Sequence, residues 1–129
     1  MTTPEPRDIA LQTLYQLDRT GDTGSLESLS PKARRLVQGV IAHTPDLDTS
    51  IESASEHWSV DRMPVVDRAI LRLGLYELRH EQETPAAVVV NEAVRLAKTY
   101  STQRSGSFVN GVLAALAAAE RPAHEVPED

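Results

Sequence analysis

The residues best suited to chemistry in this chain are two cations and two rings, Lys98, Tyr100, Arg104 and Phe108. All four fall inside AKTYSTQRSGSFVNG, Ala97 to Gly111. Single-stranded RNA is recognised with such a set: cations meet phosphate, rings stack on bases, and hydroxyls and amides reach base edges. The sequence holds one Phe, three Tyr and one Trp, so two rings in one short segment are a concentration. A helix beginning at Ser107 would also turn backbone N–H groups toward an anion. Tyr100 and Phe108 could equally close the core, and residue types alone leave that open.

Other chemistry is not assembled. The glycines at 21, 24, 39, 74, 106 and 111 never take the spacing of a phosphate-binding loop, and no serine sits in G-x-S-x-G. His43, His57, His80 and His124 have no metal-ligand spacing, so neither a metal nor a cofactor is expected. Glu81 and Glu83 lie in a polar linker, where solvated charge is the default. These features imply a protein that is not an enzyme. With no cysteine, no disulfide or thiolate site can form, which suits a reducing cytoplasm. No apolar run approaches the roughly 20 residues that span a bilayer, and TTPEPRD lacks the form of a signal peptide.

The net charge of −6 opposes non-specific binding to nucleic acid. Half of it is local: Glu120, Glu125, Glu128 and Asp129 against Arg121 leave −3 on residues 120–129 and −3 on the body. A mildly acidic body can still carry a basic patch, and Lys32, Arg34 and Arg35 form the densest basic cluster.

The elements that must position these residues read as helices throughout. Val65 to Leu78, VVDRAILRLGLYEL, is the longest amphipathic run, with an apolar arc wide enough for a central helix touched on more than one side. Asp67, Arg68, Arg72, Glu77 and Arg79 are expected to take much of its remaining surface. Before it come a helix opening at Asp8, a loop from Thr20 to Ser30, and helices begun by Ser30-Pro31 and Thr44-Pro45, the latter running to Trp58. Ser59 to Pro64 reads as a turn. After the central helix, Thr84-Pro85 starts AAVVVNEAVRLAKTY, whose length favours helix over strand despite three valines. Tyr100 to Gly106 reads as a polar break before the last helix. The expectation is an all-α bundle of six or seven helices, a single domain over residues 7–119, with residues 1–6 and an acidic tail 120–129 disordered.

The pieces VDRAILRLGLYEL, PAAVVVNEAVRLAKTYS and SFVNGVLAAL, in that order, with IALQTLYQLD at the start, resemble the NusB family of transcription antitermination factors. The resemblance runs from Arg7 to Leu116, and the joint match of NEAVRLAK with FVNGVL is its most specific part. A weaker likeness is to the NusB-like N-terminal domain of rRNA cytosine methyltransferases. The lack of a catalytic domain favours the stand-alone factor. The resemblance implies two small helical subdomains and binding to boxA-type single-stranded RNA with the small-subunit ribosomal protein NusE. The complex would help RNA polymerase read through terminators in ribosomal RNA operons. It places Arg7, Gln12, Tyr100, Arg104, Ser105 and Phe108 on the RNA surface, and Tyr15, Asp67 and Glu77 on the protein-partner face.

One departure bears on affinity. Family members usually open with several arginines, whereas TTPEPRD supplies only Arg7, so weaker and less salt-sensitive RNA binding is expected. Arg104 stands where the family often has an acidic residue. A module that binds the ribosomal protein with weak or no RNA binding is the alternative. The alanine-rich last helix offers a surface for that partner or for a homodimer.

Overall fold

Prolines and one glycine divide the chain. Pro6 occupies the first turn of α1 (Pro6–Thr20), and Gly21 closes it in the left-handed region at φ 78°, its N–H donating to Leu17 O. Ser30 caps α2 (Pro31–Ala54), its hydroxyl accepting from Ala33 N–H. Pro64 precedes α3 (Val65–His80) and Pro85 precedes α4 (Ala86–Tyr100). Thr102 caps α5 (Gln103–Glu120) through Ser105 N–H. Short 3-10 turns lie at Leu26–Ser28 and Val60–Arg62. The computed structural model describes residues 5–122, and those residues contain no strand.

The central run behaves as its pattern implies. α3 packs on all four other helices, burying Ile70, Leu71, Leu73, Leu75 and Leu78 in the core. Close approach explains Gly39 on α2: a Cβ there would stand 2.1 Å from Cζ of Tyr76. The polar residues of α3 depart from expectation. Asp67 and Glu77 are buried, at 3% and 1% exposure. Arg68, Arg72 and Arg79 each pair with a different helix, through Asp18, Asp48 and Glu120. A helix surrounded on every side has no free polar face, so its charges become ties between helices.

The count is five α-helices rather than six or seven. The two helices expected across Pro45 are one, because Leu47 and Ile51 are fully buried and carry α2 onward. Pro45 itself is exposed, so the Ile41 carbonyl that loses its N–H donor sits on the solvent side, where water can serve it. The break after Tyr100 is also shorter than expected, because the Thr102 cap starts α5 at Gln103.

At the C-terminal end, Glu120 and Arg121 belong to the packed body. Glu120 accepts from Arg79, and the Arg121 guanidinium donates to the carbonyls of Glu77, Leu78, Glu81 and Thr84, satisfying the end of α3. Residues 1–4 and 123–129, most of the segments expected to be disordered, lie outside the described residues.

Candidate nucleic-acid and partner interface

Which cations can meet phosphate is decided by which are already bonded. Arg7 is not free. Its Nε and Nη2 donate to the two carboxylate oxygens of Glu77, each at 2.8 Å, with side-chain exposures of 11% and 2%. Thus a residue expected on the RNA surface and one expected on the partner face are buried against each other. Ser105 and Asp67 repeat the pattern: Ser105 Oγ donates to Asp67 Oδ2 at 2.9 Å inside the protein. Asp67 Oδ1 has no hydrogen-bond partner among the described residues. In these four residues little or no polar surface is left for a ligand to touch; they hold α1 and α5 against α3.

The two arginines of the basic cluster on α2 are likewise occupied. Arg34 donates to the carbonyls of Leu26, Glu27 and Leu29, and Arg35 pairs with Glu81. Among the described residues, Lys32, Arg62, Lys98 and Arg104 make neither an ion pair nor a side-chain hydrogen bond, and Arg19 lies 5.7 Å from the Tyr15 ring centroid.

Two of these cations, Lys98 and Arg104, lie on either side of the turn between α4 and α5, both exposed. The Lys98 stem lies over Gly106, where a Cβ would meet its Cγ at 3.0 Å, so glycine lets the lysine cross the start of α5. Asn91, Thr99 and Asn110 line the same open face. Tyr100 stands at the end of α4, 38% exposed, and its hydroxyl is fixed. It donates to Asp8 Oδ2 at 2.8 Å, while Gln12 Nε2 donates to it at 3.4 Å. Asp8 also takes two hydrogen bonds from Arg95, at 2.8 and 3.2 Å. These Arg95 bonds are the chief reason that the Asp8 carboxyl is held below the usual range, against the opposing effect of burial. The Tyr100 phenol is pushed up, first by donating to Asp8. At neutral pH the tyrosine therefore keeps its proton and its orientation.

An open groove of about 230 Å³ runs beside this ring, lined by Leu11, Gln12, Tyr15, Val66 and Tyr100. Tyr15 is 37% exposed. Phe108 is half-buried, one helical turn from Arg104, and meets Trp58 edge to face with centroids 5.6 Å apart. Of the nine expected site residues, Gln12, Tyr15 and Tyr100 thus line one groove, Arg104 is exposed and Phe108 half-buried on α5, and Arg7, Asp67, Glu77 and Ser105 are bonded to one another inside. Lys98 was visible in the sequence as a cation. Asp8 and Arg95 gave no signal, because their role depends on a contact across 87 residues.

The family model described as NusB family matches residues 4–118. The chain belongs to the NusB family. The transcription antitermination protein NusB of Acidothermus cellulolyticus is 50% identical over 122 residues, covering 87% of this chain and 84% of that protein. Among solved structures, T. maritima NusB superposes with a TM-score of 0.81 at 34% identity, covering 97% of this chain and 98% of that one. A crystal structure of antitermination factors NusB and NusE in complex with dsRNA superposes with a TM-score of 0.75 at 31% identity, covering 88% and 94%. The all-α NusB architecture is therefore shared along nearly the whole length. No helix among the described residues is long and apolar enough to cross a membrane.

Proposed function

We propose that this chain is a transcription antitermination factor that binds boxA-type nascent RNA together with the ribosomal protein NusE. The assembly acts with RNA polymerase in the cytoplasm and promotes read-through in ribosomal RNA operons. The chain contributes binding surfaces and no catalytic step. Family membership supports the activity, and the NusB–NusE–RNA neighbour supports the two partners.

The observation that carries the RNA role is a pair of exposed cations with no ion pair among the described residues, Lys98 and Arg104, beside a tyrosine whose ring is held at the surface. Lys98 and Arg104 meet phosphates, Tyr100 stacks on a base, and Gln12 reaches a base edge. Phe108 lies farther along α5. The protein partner takes the groove beside Tyr15 and Val66. Arg7, Asp67, Glu77 and Ser105 keep α1, α3 and α5 in register beneath both surfaces.

One observation favours the second reading, a module that binds the ribosomal protein with little RNA affinity: Arg7, the sole arginine of the opening segment, is committed to Glu77. Fluorescence anisotropy with labelled boxA-type RNA separates the two. Under the first reading, Lys98→Ala with Arg104→Ala weakens RNA binding in the presence of NusE and leaves NusE binding intact. Unchanged RNA affinity removes this surface from the account.

A further inference from the structure

Trp58 is the chain's one tryptophan and, among the described residues, the most exposed large apolar side chain, at 49%. Its position is not that of a residue left over by the core. α2 stops at Ala54, and the backbone then passes through two consecutive non-glycine residues in the left-handed region, Glu56 at φ 60° and His57 at φ 69°. Each such residue carries a conformational cost, and such costs persist only where the surroundings hold them. Here they are held. Trp58 N–H donates to Ser55 O, Ser55 Oγ donates to Trp58 O, and Glu52 Oε2 accepts from Val60 N–H. The result is a braced loop that sets the indole and the Phe108 ring in a T-shaped pair and leaves about half of the side chain in solvent.

Phe108 lies four residues beyond Arg104 on α5, so the two share one helix face. A strand whose phosphate meets Arg104 can follow that face to Phe108 and the indole. The same loop segment continues to Arg62, an exposed cation with no ion pair among the described residues. Aromatic rings bounded by cations along a continuous path are what sequence-tolerant binding of single strands requires. We infer that Trp58, seated on Phe108, is a second base-stacking platform that extends the RNA path from Arg104 toward Arg62. This rests on the RNA reading above.

The lone tryptophan makes the test direct. The protein–NusE complex is titrated with boxA-type RNA while tryptophan emission and labelled-RNA anisotropy are both read. NusE alone is run as a control for its own emission. Stacking predicts a change in Trp58 emission with the anisotropy midpoint, and shielding of the indole from acrylamide. Trp58→Ala should weaken RNA binding about tenfold, whereas Trp58→Phe, which keeps a ring, should hold most of the affinity. A thermal melt of each variant checks the fold, and the emission result on the unaltered chain stands without any variant. If RNA binds by anisotropy while Trp58 emission and acrylamide access stay unchanged, the platform is wrong and the RNA reading survives. If NusE shifts the emission and RNA adds nothing, the indole belongs to the protein partner and the inference fails. Absence of RNA binding by anisotropy overturns both.

Discussion

Replacing Arg7 with methionine separates a structural arginine from a phosphate-binding one. In the folded chain its guanidinium covers both oxygens of Glu77, whose side chain is 2% exposed. Methionine fills much of the space but leaves that carboxylate buried without its main partner. Removing one member of a buried pair typically costs about 3–5 kcal/mol, because the remaining charge keeps its desolvation penalty. Domains of this kind have about 5–15 kcal/mol in total, so the loss is a large share. At roughly 4 °C per kcal/mol for a chain of this size, the melting temperature should fall by about 10–20 °C. Arg7→Met combined with Glu77→Met removes both charges and should recover most of the loss. Urea and thermal unfolding followed by circular dichroism measure all three differences. An Arg7→Met chain within about 1 kcal/mol of the parent, the scale of an exposed ion pair, but with weakened RNA binding, would refute the reasoning and return Arg7 to the surface.

Three further outcomes follow from the same geometry. Each of Lys98→Ala and Arg104→Ala should flatten the dependence of log affinity for single-stranded RNA on log salt by about 0.7, the increment for one neutralised phosphate, whereas Arg35→Ala should leave it unchanged. Ser105→Ala removes the one side-chain hydrogen bond that the Asp67 carboxylate accepts among the described residues, leaving both oxygens without such a donor there. It should cost about 1–3 kcal/mol in urea unfolding while barely altering RNA affinity. The folded-state value of Asp8 is depressed, chiefly by Arg95, so its stabilisation is present above the unfolded value near about 4 and is lost as pH falls through the lower folded value. Asp8→Asn should therefore lower stability at neutral pH, and the gap to the parent should narrow in urea melts below about pH 4.

The helices were legible because their signals are local. The apolar arc of α3, the Ser30 cap and the length of the valine-rich α4 can each be read within a few turns. Pro45 misled because its start signal is also local, while the burial of Leu47 and Ile51 that overrides it is tertiary. At the candidate site, the exposed chemistry of Lys98, Tyr100 and Arg104 could be read from residue type alone. A role that depends on a distant partner could not. Arg7 with Glu77 and Ser105 with Asp67 are separated by 70 and 38 residues, and nothing in either neighbourhood announces the pairing. Trp58 was hidden for another reason. Read as the last residue of a helix, it gave no sign of the left-handed turn that carries it to the surface.

The measurement that bears most directly on the account is an anisotropy titration of the chain with boxA-type RNA and a scrambled control, with and without NusE, at two salt concentrations. The account predicts weak binding by the chain alone, and tighter, sequence-dependent binding once NusE is present. The salt dependence should be shallow, as Lys98 and Arg104 are the cations near Tyr100 that make no ion pair among the described residues, and Arg7 is occupied. NusE binding without any gain in affinity for the boxA-type RNA over the scrambled control would contradict it.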